Sequence, residues 1–555
     1  MNPNPVTLEV VRNALVAYAE EMAMSLCKSA YNMMIYEVRD FCVGLLDVEG
    51  RMICQNRGGL PIFLADLGIA VEDGIARYGA DGFAPGDVVI MNHAGVCGQH
   101  LNNVVVYTPC FHGGRLVAFA ANRAHWVDIG GMRTGFGSVE TTEIFQEGLQ
   151  FRSIKLYEGG RRNDAVWQII ADNVRFPDSS LGDLRAQIAA CRLGERRLKE
   201  LLARYPLQTV DGCIAATWDQ AEAAARAFVQ RIPDGRYTAE SFLDNDGRNK
   251  EKPLRVMVSV EVAGDEMTID FSEMNPQVPS PLNSGYSGGL AAARVAFKCL
   301  TMPDAPVNEG CFRPLRLVSP EGTMLNARSP AAIGLWSIAL PTVIDTILLA
   351  LAPALPDRIP AAHKGEMGGC SFYGYRADTG ARFLLMNIFG GGWGGRPQED
   401  GEDASVSNCQ GDVRNTPVEL QEIHYPVVVE HHRLRADSGG AGRFRGGLGV
   451  ELTYRCLQAA TVNVNMERTV TPPWGLAGGG AGAVNQCVIR HADGRERSVL
   501  KETNIPLGPG DTVTFRTAGG GGFGDPATRP ADAVARDVRA GFVTAAAVAR
   551  DYGRA

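Results

Sequence analysis

Two histidines in this 555-residue chain stand where they could do chemistry. His100 lies in Gly98-Gln99-His100-Leu101-Asn102-Asn103-Val104, between a glycine loop and an apolar run. His125 follows in Asn122-Arg123-Ala124-His125-Trp126-Val127-Asp128-Ile129-Gly130-Gly131. A divalent metal takes lone pairs from preplaced imidazoles and carboxylates. Asp40, in Tyr36-Glu37-Val38-Arg39-Asp40-Phe41, stands where a helix gives way to a strand and is the carboxylate candidate. Two histidines and one carboxylate leave coordination positions open for water and substrate, the catalytic pattern and not the structural one. The spacing lacks the regularity of HExxH, and histidines at strand ends serve equally well as hydrogen-bonded core or surface residues. Asp128 is open to four roles: ligand, partner orienting an imidazole, base, or side-chain cap of the following Gly turn. His93 is a further candidate ligand.

Hydrophobic periodicity indicates the elements that must hold these residues. Residues 6–35 read as one helix, since Leu8, Val11, Leu15, Ala19, Met22, Leu26, Ala30 and Met33 step by three or four. Residues 41–55 read as a hairpin around Asp47-Val48-Glu49-Gly50. Residues 64–78 read as a short helix stopped by Gly79. Strand-like runs at 86–95, 101–111 and 114–125 put His100 and His125 at strand ends or in loops, where chemistry is usually mounted. Residues 160–231 read as helical, with Ser180 as a cap. Strands then resume, with helices expected at 288–300 and 340–355. From 411 the chain reads as strand and glycine turn, closed by a short helical tail. The expected fold is mixed α+β in three parts: an N-terminal metal-bearing α/β region (1–230), a middle α+β region (231–410) and a β-rich, glycine-turn-rich C-terminal region (411–555).

Composition narrows the function. A net charge of -8 argues against a nucleic-acid partner, which wants a basic face. No apolar run of about 18 residues occurs, so no membrane span is expected. The N-terminus carries acids inside its apolar pattern and does not read as a signal peptide. Thirteen scattered cysteines without a CxxC pair fit reduced thiols in a cytoplasmic protein. The 65 glycines concentrate late, in 389–395, 437–449, 475–482 and 517–526. They read as tight turns or as places where backbone approaches a partner closely. Arg443 and Arg445, set among glycines, could form an anion nest or stand solvated on bulged turns. His431 and His432 would point to opposite faces of a strand. No GxxxxGK[ST] loop, usable GxGxxG or GxSxG elbow is present, so the chain lacks a standard ATP-phosphate cradle.

The chain resembles the hydantoinase B / 5-oxoprolinase family along nearly its whole length. The opening Asn4-Pro5-Val6-Thr7-Leu8-Glu9-Val10-Val11, the segment Gly98–Pro109 and the segment Arg123–Gly131 look like the family's opening, its HLxD motif and its RAHHxDVGG motif. Tyr425–Arg455 and Thr517–Gly553 are similar to its C-terminal signatures. The resemblance implies an A-type partner subunit that uses ATP and magnesium to phosphorylate a carbonyl oxygen. This B-type chain would then handle the activated intermediate at one divalent metal, zinc or manganese. The substrate would be a cyclic amide that is hydrolysed (hydantoin, oxoproline or lactam). Relatives that are ketone carboxylases offer an alternative, and a non-catalytic scaffold for the A-type subunit is a third reading. The family motifs place the metal on Asp40, His100 and His125, with Asp128 or Glu37 as the catalytic base; Glu37 could instead pair with Arg39 or Arg123. Departures from the family pattern cluster at the same place. Asn103 stands for the HLxD carboxylate, Trp126 for the second histidine of HHxD, His93 for a common aspartate and Cys42 for a common serine.

Overall fold

The computed structural model describes residues 3–135, 137–411 and 413–553. A seven-stranded antiparallel sheet organises the N-terminal part. Its spatial order is Met52–Gln55, Phe41–Leu46, Arg115–His125, Asn103–His112, Val88–Met91, Ile154–Glu158 and Arg161–Arg162. The central strands are apolar on both faces because both faces are covered. Val43, Val104, Val106 and Ala124 pack with the long helices Pro5–Ser29 and Pro177–Arg204. Their alternates Cys42, Val105 and Tyr107 pack against a second core. That core includes the helices Tyr286–Thr301 and Trp336–Leu351. They cover a four-stranded sheet ordered Leu315–Val318, Glu266–Asp270, Leu254–Ala263 and Gly235–Leu243. The fold is thus mixed α and β.

Two further antiparallel sheets make a sandwich. One is ordered Arg382–Ile388, Gly369–Tyr375, Ala460–Asn465, Lys501–Leu507; the other Val427–Leu434, Val450–Cys456, Thr512–Arg516, Gln486–Arg490, Glu496–Val499. Phe372, Val462 and Ile505 of the first meet Tyr454, Val513 and Phe515 of the second in one core. The first of these sheets joins strands from either side of residue 411.

Several expectations are corrected. The helix expected over 6–35 ends at Ser29 and restarts as Met33–Tyr36. Ala30 is extended, and Asp183 Oδ1 takes the freed N–H groups of Tyr31 and Asn32 at 2.7 and 3.1 Å, so a buried carboxylate prevails over continued helix. Pro177, at the first helical position, opens the long helix, and Ser180 lies inside it with its hydroxyl donating to the Asp128 carbonyl. The helix expected from 340 begins at Trp336 and carries Pro341 within its first turns.

The glycine clusters do approach backbone closely, and the backbone is their own. Segments 390–395, 439–449, 475–482 and 519–522 lie side by side. Gly392 N–H donates to Ala518, Gly395 to Gly521, Gly440 to Gly520 and Gly522 to Gly480, all by main chain. A Cβ on Gly520 would overlap the Trp393 carbonyl, and one on Gly446 the Gly520 carbonyl. Arg443 is exposed, as a solvated turn residue should be, but Arg445 is buried against Asp403 at 3.1 Å. It therefore fills neither of the two roles expected from sequence.

Candidate active site

Sheet register brings the sequence candidates together. Phe41 pairs with Ala124, and the His125 N–H donates to the Asp40 carbonyl at 3.2 Å. On the other side His125 pairs with Asn103. Asp40, His125 and Asn103 therefore form a row across three adjacent strands. Directly opposed residues point to one face, and alternation from Phe41, Val104 and Ala124 turns all three away from the long helices. His100 joins them through a turn in which the Asn103 N–H donates to the His100 carbonyl at 3.1 Å.

Local structure sets up the ends of this row. The helix break at Ala30 leaves Asn32 free to cap Met33–Tyr36, accepting from the Met34 N–H at 3.0 Å, while its Nδ2 donates to the His125 carbonyl at 3.2 Å. The Asp40 N–H returns to the Met34 carbonyl at 2.7 Å, and Arg39 takes a positive φ of 65° to make that turn.

Asp40, His100, Asn103 and His125 line one cavity of about 20 Å³, room for about one water. The two imidazoles stand edge to face, ring centres 4.9 Å apart, and Trp336 lies edge-on to His100 at 5.9 Å. The remaining wall is largely apolar, with Met34, Phe63, Met367, Met386 and Ile388. Behind the row, fully buried Arg123 ion-pairs with Asp66 and donates to the Asn103 carbonyl at 3.2 Å. Gln99 donates to Asp66 and accepts from Asn103 Nδ2 at 3.1 Å. Asn103 thus has a donor's task toward Gln99 that an aspartate could not perform.

The electrostatics follow from enclosure. Burial pushes the Asp40 carboxyl up to about 7, with Arg123 opposing. Burial, then the neighbouring His125 and Arg123, hold His100 well below the ordinary histidine range, against hydrogen bonds to the Asn103 side chain and the Gly334 backbone. Burial lowers His125 to about 4. Both rings are accordingly neutral near pH 7, the form with a lone pair to give. Among the described residues no three His, Cys, Asp or Glu side chains stand together at metal-ligand spacing. In chemical type, two neutral imidazoles and a carboxyl in one cavity suit a divalent cation, whose charge would offset the cost of burying Asp40 as an anion.

The other candidates lie elsewhere. Asp128 Oδ1 pairs with Arg175 at 3.0 Å, and its Oδ2 accepts the Arg175 and Gly130 N–H groups at 2.6 and 3.2 Å, the Asx-turn role. Glu37 is half-buried at the end of Met33–Tyr36 and, among the described residues, makes no ion pair with Arg39 or Arg123. Neither Asp128 nor Glu37 lines the cavity. Trp126 faces the long helix, its Nε1 donating to Gln187 at 2.8 Å. That family departure is therefore on the far face of the sheet. His93 lines a separate cavity with Phe145 and Gly285.

Sequence reading missed Glu147. It lines a second cavity, of about 40 Å³, that shares the His100 wall. Its carboxylate accepts from Thr141 Oγ1 at 2.8 Å and from the N–H groups of Ile333 and Gly334 at 3.1 and 2.9 Å. Nothing in Phe145-Gln146-Glu147-Gly148-Leu149 distinguishes it from a solvated loop acid; only the docking of residues 331–336 encloses it.

The sequence profile of the hydantoinase B/oxoprolinase family matches residues 4–526. The chain is 32% identical to the B-type subunit of a putative D-/L-hydantoinase of Pseudomonas sp. (strain NS671), covering 99% of this chain and 95% of the relative. It is likewise 32% identical to the beta subunit of a caprolactamase of Pseudomonas jessenii, covering 99% and 96%. A 5-oxoprolinase of Dictyostelium discoideum is 27% identical, and this chain matches 40% of its length. The crystal structure of the ATP-dependent caprolactamase from Pseudomonas jessenii superposes with a TM-score of 0.93, covering 99% of this chain and 96% of that one at 31% identity. A nucleotide-free acetone carboxylase shares the fold, with a TM-score of 0.91 over 99% of this chain and 79% of that one at 17% identity. With residues 4–526 matched by the family profile and 99% of the chain by the caprolactamase structure, the chain belongs to the hydantoinase B/oxoprolinase family.

Proposed function

We propose that this chain is the B-type subunit of an ATP-dependent cyclic-amide hydrolase and that Asp40, His100 and His125 hold its divalent metal, zinc or manganese. The observation that carries the reading is the single cavity that all three donors line, Asp40 and His125 by sheet register and His100 through the turn to Asn103. Similarity to the caprolactamase and hydantoinase chains supports the substrate class. A partner A-type subunit would use ATP to phosphorylate the amide oxygen, turning a poor electrophile into one with a good leaving group. When bound, the metal supplies Lewis acidity and a water of lowered pKa.

This chain's residues do the rest. The backbone bond from His125 to Asp40 and the turn from His100 to Asn103 hold the donors on one face. The apolar wall excludes water and suits a ring of methylenes. Met34, Met367 and Met386 are unbranched and re-pack readily.

The test uses the complex of this chain with an A-type subunit. ADP release and product are followed over lactams, hydantoins and ketones, with and without bicarbonate. Ring opening without bicarbonate upholds the reading. Turnover of a ketone only with bicarbonate makes the chain a carboxylase component. Product formation by the complex that is indifferent to His100→Ala makes it a scaffold.

A further inference from the structure

We propose that Glu147 is the proton acceptor for water attack, working from the second cavity, which shares His100 with the first. The assignment rests on the cyclic-amide hydrolase reading above. Three geometric facts lead to it.

Glu147 and His100 line the same cavity, and neither Asp128 nor Glu37 does. Gly334 links the two side chains: its N–H donates to Glu147 Oε1 at 2.9 Å, and its backbone also bonds to His100. The charge of Glu147 is uncommitted. Among the described residues no lysine or arginine pairs with it, and Arg133, on the same cavity, is taken by Glu140. Every group that meets the carboxylate is a neutral donor: Thr141 and Gly334 on Oε1, Ile333 on Oε2. Both oxygens accept, so the side chain is oriented as a carboxylate.

A carboxylate held by neutral dipoles keeps its basicity, whereas one paired with guanidinium, as Asp128 is, loses it. Enclosure pushes the Glu147 carboxyl up to about 7, opposed by the bonds from Thr141, Ile333 and Gly334, a position suited to general base work near neutrality.

The step balances. An O–H bond of water breaks and its proton passes to a Glu147 carboxylate oxygen. The water oxygen forms a C–O bond to the phosphorylated carbon, whose C=N π pair moves to nitrogen. The carboxyl then returns that proton to nitrogen. The new hydroxyl gives its own proton to nitrogen as its O–H pair becomes the C=O π bond, and the C–N bond breaks with its pair to nitrogen, so the ring opens to an amine and an acyl phosphate. A second water displaces the phosphate from that carbonyl, leaving a carboxylate and inorganic phosphate and releasing a proton.

The test measures ADP release, ring opening, metal content and thermal melting on the two-subunit complex, with an unsubstituted lactam as probe. Glu147→Gln is expected to lower ring opening at least 100-fold, the scale of general base catalysis, while ADP release and metal content persist. The Gln amide would face N–H donors and strain the local fold, so Thr141→Val is measured beside it. Removing that hydroxyl donor raises the carboxyl, so the acid limb of the pH–rate profile should move to higher pH with melting unchanged. Glu147→Gln within threefold of wild type, loss of its metal along with its activity, or an acid limb unmoved in Thr141→Val each overturn the assignment of Glu147 alone. Failure of the wild-type complex to open any ring overturns the parent reading with it.

Discussion

The row of donors across the N-terminal sheet and the glycine layers of the C-terminal part solve opposite packing problems. In the row, backbone pairing is ordinary antiparallel sheet and the side chains carry the information: Asp40, His125 and Asn103 face one cavity because register says so. In the glycine layers the side chains are absent and the backbone carries the information, with carbonyls occupying the space where Cβ atoms would stand. Replacing one donor in a polar site damages function. Replacing a residue in a layer with no free space damages the fold. On the function proposed above, activity and stability are mounted on different parts of the chain.

Substitutions can break that contrast in order of size. Gly520→Ala places a methyl on the Trp393 carbonyl, a backbone atom that cannot swing aside. It should cost more than about 4 kcal/mol, the range reserved for disrupted cores, and a melting scan should show no cooperative native transition. His125→Ala should lower turnover of the complex by about 10³-fold or more, the scale seen when one preorganised electrostatic group is removed. Its metal content should vanish while the melting transition remains cooperative. If His125→Ala unfolded the chain and Gly520→Ala did not, the division of labour would be reversed.

A smaller effect sharpens the site itself. Burial raises Asp40 from an ordinary 3.8 to about 7. Its protonated form therefore stabilises the fold below about pH 4, and that contribution is lost as pH rises through 7. His125, lowered from 6.5 to about 4, contributes in the opposite sense, present above 6.5 and lost as pH falls through 4. A metal must displace the Asp40 proton, so its apparent affinity should fall about tenfold per pH unit below 7. Calorimetric titration with zinc at pH 6 and pH 8, in buffers of different ionisation heat, should show about one more proton released at pH 6.

The smallest effect is a control for the glycine layers. Gly113, in the turn between Asn103–His112 and Arg115–His125, has open space where a Cβ would go and a φ of 57°. Gly113→Ala should cost only about 1 kcal/mol, the ordinary penalty of left-handed backbone, seen as a melting shift of a few degrees. Equal losses for Gly113→Ala and Gly520→Ala would show that conformation, and not packing, governs the glycine segments.

Much of this was legible in the one-dimensional pattern. Strand-like runs predicted the strand that follows His100 and the one that ends at His125, and Gly79 marked a helix end because its φ of 69° suits a residue without Cβ. The break at Ala30 was not legible, since its cause is Asp183, more than 150 positions away. Arg445 read as part of an anion nest or as a solvated turn residue because Asp403 is invisible from its neighbours. Glu147 carried no signal for the same reason: Thr141 is local, but Ile333 and Gly334 come from a distant loop.

Residue types and short-range spacing determined the candidate donors, most of the elements and the family, because helix and strand periodicities and motif order are properties of neighbours in the chain. Tertiary structure alone decided which donors share a cavity and which acid stands with His100. It also decided that the glycine segments pack on each other. Each of these depends on register and on contacts between segments distant in the sequence, where burial and hydrogen-bond satisfaction, not local propensity, choose the partner.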